Sequence, residues 1–163
     1  MPITRLNHAV LYVRDARRSA AFYTEVLGLA IRHVMGDGKA IFLHSDGSDN
    51  DHDLGLFSVG DQVGSSEAGR GTVGLYHLAW QVDTLDELDR LRSVLIDRGA
   101  LVGASDHGVS KSVYGRDPDG LEFEVMWAVP SDLLDDSAQE VGIAPLDLDR
   151  EKRRYGATTV STG

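Results

Sequence analysis

Apolar residues fall in short runs separated by polar breaks, and the order of run types repeats once. Leu6 to Val13 (LNHAVLYV) is an apolar run of strand length. Arg14-Asp15 breaks it. Ala20, Phe22, Tyr23, Val26 and Leu27 then fall at helical spacing within Ala16 to Leu27, with Gly28 placed as a C-cap. Three strands are expected next, Leu29 to Met35, Lys39 to His44 and His52 to Val59. Gly36-Asp37-Gly38 would form a hairpin turn, and Ser45 to Asp51 (SDGSDND) a polar loop.

The second half follows the same plan. Gly74 to Val82 (GLYHLAWQV) is again a strand with a histidine five residues before a valine. Thr84-Leu85-Asp86-Glu87 has the spacing of a capping box, in which Thr84 and Glu87 satisfy free N–H groups at a helix start. Leu88, Leu91, Val94 and Leu95 supply that helix's apolar face, and Gly99 ends it. Strands follow near Leu101 to Ala104, Lys111 to Gly115 and Leu121 to Trp127, with Asp117-Pro118-Asp119-Gly120 as a turn.

This pattern predicts an α+β fold of two βαβββ modules, residues 5–60 and 73–128, in one domain over 1–128. The Gly- and Ser-rich stretch 61–72 is the expected linker. Residues 129–163 are expected as a partly flexible C-terminal arm. Within it, Ala144 to Tyr155 would pack on a neighbour, and the last residues would fray.

Composition narrows the function classes. A net charge of −10 repels phosphate backbones and anionic lipid, and the densest basic run, Arg150 to Arg154, contains Glu151. Neither nucleic acid nor membrane is expected as a partner. The absence of cysteine excludes thiolate chemistry and disulfides. No secretory layout and no apolar run of about 18 residues is present, so a cytoplasmic protein is expected.

Three residues stand out for metal chemistry. His8 and His77 hold matching places on the first strands of the two halves, so a pseudo-twofold axis would bring both imidazoles to one point. Glu124 lies on the last strand, where alternation turns it away from Phe123 and Val125. Two imidazoles and a carboxylate leave coordination positions open, a set suited to ferrous iron and oxygen. A histidine on a strand is, taken singly, more often a hydrogen-bonded core residue. A glutamate between apolar strand neighbours is less ordinary, because leaving it unpaired in a core is costly. Other motifs carry no chemistry. Gly69 to Gly74 has the GxGxxG letters but leads into a strand rather than a helix, and Asp46, Asp49 and Asp51 lack the order of an EF-hand.

Leu6 to Val13, Gly74 to Val82 and Arg116 to Val125 (RDPDGLEFEV) resemble the vicinal oxygen chelate superfamily of glyoxalases, bleomycin-resistance proteins and extradiol dioxygenases. The resemblance covers about residues 5 to 128 and implies that the two βαβββ modules form a shared curved mixed β-sheet around a metal site. It implies His8, His77 and Glu124 as ligands of Fe(II), with Mn(II), Ni(II) and Zn(II) as alternatives. Leu121 departs from the asparagine common after the turn.

The second half, including HGVSKSVYGRDPDG, is similar to catechol 2,3-dioxygenases. That likeness implies Tyr114 as an active-site tyrosine, His107 as a contact to substrate oxygens, and His52 as the acid–base group. Each also has a plain structural reading: His52 capping the acidic loop, His107 in solvent, Tyr114 packed in the sheet. The expected substrates are an aromatic diol and dioxygen. The alternatives are a glyoxalase-type lyase or isomerase and a non-catalytic binding protein. A four-ligand glyoxalase site is disfavoured, since the only carboxylate of HDLGLF is Asp53, pointing away from the face of His52. Tyr76, Trp80, Phe57 and Trp127 are candidates for pocket or core, and the resemblance implies a homodimer or higher homo-oligomer.

Overall fold

In the first module, polar residues set the ends of each element. In the computed structural model, which describes residues 2–135 and 142–161, β1 (Ala9–Val13) turns Leu11 and Val13 inward. Asp15 caps α1 (Ala16–Leu27) by accepting from the amides of Arg17 and Arg18. Gly28, at φ 73°, closes the helix with its N–H on the Thr24 carbonyl, in the left-handed conformation that glycine adopts without cost. Ala16, Ser19, Ala20, Tyr23 and Val26 form the buried helical stripe.

β2 (Ala30–Met35), β3 (Ala40–His44) and β4 (Leu54–Ser58) complete a four-stranded sheet in the order β1-β4-β3-β2. β1 and β4 run parallel, with Ala9 opposite Leu54. The expected turn at Gly36 to Gly38 is a short 3₁₀ segment with Asp37 at φ 55°. The strand expected from His52 begins instead at Leu54, because the Asp53 carboxylate is committed to the preceding loop.

The chain divides into two compact units, Met1–Ser66 with Asp117–Gly120, and Glu67–Arg116 with Leu121–Gly163. The DPDG turn therefore belongs with the first module. Asp119, its side chain 6% exposed, accepts from the Arg14 amide at 2.9 Å and guanidinium at 3.0 Å, and from the Arg18 guanidinium. The Tyr23 hydroxyl donates to Asp117 at 3.2 Å. Asp119→Ala would leave the Arg14 amide without an acceptor, while half-exposed Arg18 contributes little. A loss of about 2 kcal/mol in urea denaturation is expected, and an unchanged midpoint would contradict this role.

The second unit repeats the order. β5 (His77–Gln81), α2 (Leu85–Asp97), β6 (Leu101–Asp106), β7 (Ser110–Arg116) and β8 (Glu122–Ala128) follow one another, with β5 and β8 parallel. The capping box is half realised: Thr84 accepts from the Glu87 amide, but the Glu87 carboxylate pairs with Arg90. Leu85, Leu88, Leu91 and Leu95 are the buried face of α2, so Leu85 takes the place expected of Val94. Beneath them lie Val113, Phe123, Val125 and Trp127. Gly115 leaves the room Phe123 fills, since a Cβ there would stand 2.6 Å from its ring. Both second strands, β2 and β6, carry a register shift near their start, a further sign of the repeat.

The class is thus α+β, with the βαβββ order occurring twice. The shared mixed sheet implied by the resemblance is two sheets, one per unit, because the strands of each module pair among themselves. The C-terminal arm differs from expectation. Ala144–Pro145 (β9) extends the second sheet beside β6, and Leu148–Tyr155 (α3) packs on α2 of its own chain with Leu148, Glu151 and Tyr155 buried. The Trp127 indole donates to the Thr159 carbonyl at 3.1 Å, and the Ser161 amide to Asp83 at 2.7 Å. Residues 162–163, where fraying is expected, lie outside the described residues. Among the described residues no helix is long and apolar enough to cross a membrane.

Candidate functional site

Alternation along β8 buries Phe123, Val125 and Trp127 under α2 and turns Glu124 to the opposite face of the second sheet. On that face the register sets Glu124 directly across from Tyr114 on β7 and Ala79 on β5. His77, the first residue of β5, brings Nε2 to 3.1 Å from Glu124 Oε2. The Tyr114 hydroxyl donates to Glu124 Oε1 at 3.3 Å and lies 2.8 Å from His107 Nε2. The arrangement is satisfied when Tyr114 donates to Glu124 and His107 Nε2–H donates to Tyr114. Four sequence-predicted residues, His107, Tyr114, Glu124 and His77, therefore form one continuous polar run. Burial, and next the Glu124 charge, push the Tyr114 phenol above its ordinary value, so it stays a proton donor at neutral pH.

His77 and Glu124 are a mixed imidazole and carboxylate pair, the donor types a divalent first-row metal takes. His77 Nδ1 is buried without a hydrogen-bond partner. His8 lies in the first unit, one residue before β1, with Nδ1 2.8 Å from Asn7 Oδ1. Donation of Nδ1–H to Asn7 leaves Nε2 with its lone pair, the state a ligating histidine needs. Among the described residues no group of three or more His, Asp or Glu side chains is gathered closely enough to hold a metal ion. The second unit alone supplies two donors, and the donor types of all three residues fit a divalent metal.

His52 sits at the entry to β4, its ring 4.6 Å from that of His8 and edge-on to Phe42 at 4.9 Å. Its Nδ1 lies 3.1 Å from Asp51 Oδ2, a carboxylate that also faces His33 Nε2 at 3.0 Å. Hydrogen bonds from His52 and then His33 hold the Asp51 carboxyl low. Asp51, which the sequence offers only as part of a solvated acidic loop, orients the His52 ring so that Nε2 is the free nitrogen. Its only sequence signal is adjacency.

Asp53 turns into the loop, accepting from the Ser45 amide (2.8 Å), Ser48 (2.5 Å) and Asn50 (2.8 Å). Partial burial raises its carboxyl, but these donors, with nearby His44, outweigh that and hold it below its ordinary value. A carboxyl held low contributes stability above its unfolded value of about 3.9 and loses it as pH falls through the folded value. Amide exchange of residues 45–53 should therefore accelerate below about pH 4. Asp53→Asn should abolish that acid step, and its persistence would assign the step to another group.

The aromatic candidates separate. Trp127 is core, and Phe57 packs edge-on against Phe42 at 5.8 Å. Trp80 is partly buried on β5. Tyr76 is exposed, its ring 4.6 Å from that of His77.

The profile of the family described as Glyoxalase/Bleomycin resistance protein/Dioxygenase superfamily matches residues 5–125. A catechol-2,3-dioxygenase of Bacillus subtilis (strain 168) is 30% identical over 129 residues, 75% of this chain and 41% of the relative, so this chain spans under half that protein's length. Biphenyl-2,3-diol 1,2-dioxygenase 3 of Rhodococcus globerulus is 34% identical over 136 residues, covering 80% of this chain and 68% of the relative. Among solved structures, a glyoxylase/bleomycin resistance protein/dioxygenase domain from Frankia sp. EAN1pec superposes with a TM-score of 0.62 at 24% identity, covering 78% of this chain and 93% of that one. At that identity the likeness speaks for the fold.

Proposed function

Because the chain belongs to the Glyoxalase/Bleomycin resistance protein/Dioxygenase superfamily, we propose that it is an extradiol dioxygenase cleaving the ring of a catechol-type diol. In this reading His8, His77 and Glu124 hold Fe(II), with Mn(II), Ni(II) and Zn(II) as the alternatives. The observation that carries it is the run from His107 through Tyr114 and Glu124 to His77. It sets a phenol and an imidazole beside two metal-ligand types. Similarity to two relatives named as diol dioxygenases supports the same choice.

Bound there, the metal would supply one coordination sphere for diol and dioxygen and a path for electrons between them. The remaining work falls to the side chains. Tyr114, kept protonated, turns its single O–H from Glu124 to a diol oxygen, and His107, donating to the phenol oxygen, holds it in line. His52 accepts a proton at Nε2 from the diol hydroxyl and returns it to the product, with Asp51 fixing the ring. Both oxygen atoms enter the product, a ring-opened semialdehyde acid, so no external reductant is consumed.

The test is to load metal-free protein with Fe(II) under anaerobic conditions, add a panel of catechols and then oxygen. Oxygen uptake with a yellow ring-fission product is expected. Turnover of a thiohemiacetal with no uptake for any diol would assign the protein to the lyases. Diol binding without either reaction would make it a binding protein.

A further inference from the structure

The second unit buries an ion pair away from the proposed metal ligands. Lys111, on the helix-facing side of β7 with Val113, and Glu151, on the inner face of α3, are both 0% exposed. Lys111 Nζ lies 2.5 Å from Asp106 Oδ1, 3.1 Å from the Gly108 carbonyl and 3.2 Å from Glu151 Oε2, and 5.5 Å from the centre of the Tyr155 ring. Taking an ammonium out of water is costly, and an apolar side chain of similar volume would fill this space without that cost. What an apolar residue could not do is hold the two oxygens that Lys111 reaches beyond Glu151. Those oxygens belong to Asp106 and Gly108, the residues on either side of His107.

The loop between β6 and β7 is closed by the same group of atoms. The Asp106 carboxylate accepts from the Gly108 amide at 2.9 Å and from Arg150 at 3.1 Å, and the His107 amide donates to the Ser110 carbonyl. Gly108 stands at φ 77°, where a side chain would be strained. Arg150 of α3 also donates to Glu151 at 2.7 Å. Both neighbours of His107 are thus tied to one ammonium, and that ammonium is tied to the C-terminal helix. The free end of His107, its imidazole, reaches Tyr114 at 2.8 Å.

We propose that Lys111, anchored by Glu151 of α3, is a positioning residue that fixes the loop presenting His107 to Tyr114. Its consequence for catalysis rests on the dioxygenase reading, while the loop clamp itself does not. Productive geometry tolerates displacements of only about 0.5 Å, so a loop released from α3 would misplace the imidazole without touching a metal ligand.

K111M and the double variant K111M/E151Q separate positioning from mere stability. K111M leaves Glu151 without its lysine and should lose both stability and turnover. K111M/E151Q removes both charges, so its melting temperature should recover. Its kcat on a catechol should stay about tenfold or more below wild type, with Fe(II) content unchanged. In metal-free protein, amide exchange of residues 107–110 should be at least about tenfold faster than in wild type, reporting the loop directly. Recovery of kcat together with melting temperature would overturn the proposal. So would unchanged exchange, and so would faster exchange with normal kcat. Should wild-type protein cleave no catechol, the dioxygenase reading fails and exchange alone decides the clamp: faster supports it, unchanged overturns it. E151Q, which keeps every heavy-atom position, gives the same exchange readout if the double variant does not fold.

Discussion

If the dioxygenase reading holds, Glu124→Gln is expected to abolish metal binding and ring cleavage in one step while leaving the fold intact. The substitution preserves side-chain shape, and the amide oxygen can still accept the Tyr114 hydroxyl that lies 3.3 Å from Oε1. What it removes is the negative charge. That charge sits 3.1 Å from His77 Nε2 on a side chain only 14% exposed, where solvent does little to replace it. A neutral amide is a poor ligand for a divalent first-row metal. Outer-shell changes already cost about 10- to 100-fold in metal affinity, so loss of a ligand itself should cost at least about 100-fold. Stability should change little, because the amide keeps the carboxylate's shape and can still hydrogen-bond His77 Nε2. Tyr114→Phe makes the contrast: metal content should stay at wild type while turnover falls about 100-fold, the scale of losing a general acid or oriented donor. Metal analysis after gel filtration, together with oxygen uptake, distinguishes the two. A Glu124→Gln protein that retained Fe(II) with wild-type affinity would sink the ligand assignment.

Much of this site could be read from the chain because it is local to one hairpin. Arg116 pairs with Glu122 across the DPDG turn, so two steps back along each strand meet at Tyr114 and Glu124. A ten-residue spacing thus becomes a cross-strand contact by turn geometry alone. Alternation likewise set Glu124 apart from Phe123 and Val125. Whether His8 joins His77 and Glu124 depends on long-range packing, which periodicity within a module does not encode. The His52 boundary was misjudged for a local reason. Apolar patterning extends the strand through residue 52, whereas the three hydrogen bonds of Asp53 close the loop there. The C-terminal helix escaped notice because its inward positions are Leu148, Glu151 and Tyr155, and a glutamate is scored as solvent-facing until its partner is known. That partner is Lys111, forty positions earlier in the chain. Alternation does put Lys111 on the face of Val113 and Gly115, the one signal that a buried cation was present.

Trp127→Ala should be the most destabilising single change outside the site, at about 3–5 kcal/mol, because it deletes the largest fully buried side chain. Trp127 is 0% exposed on the helix-facing side of β8, packs against the tilted ring of Tyr155 of α3 at 5.6 Å, and donates its indole N–H to the Thr159 carbonyl. Two costs therefore add: the cavity, and release of the C-terminal segment that closes over it. Trp127→Phe separates them. It keeps most of the apolar volume but leaves the Thr159 carbonyl without its donor, for which about 1–2 kcal/mol is expected. Against a total stability of about 5–15 kcal/mol, the alanine variant should unfold at much lower urea and lose residues 142–161 to protease before the rest of the chain. Glu124 projects from the opposite side of the same strand, so the folded fraction should still bind Fe(II) with wild-type affinity. If the urea midpoint moved by less than the equivalent of about 0.5 kcal/mol, the usual span of a surface change, the core role of Trp127 and the docking of α3 upon it would both be wrong. Loss of metal affinity without loss of stability would instead return Trp127 to the binding pocket.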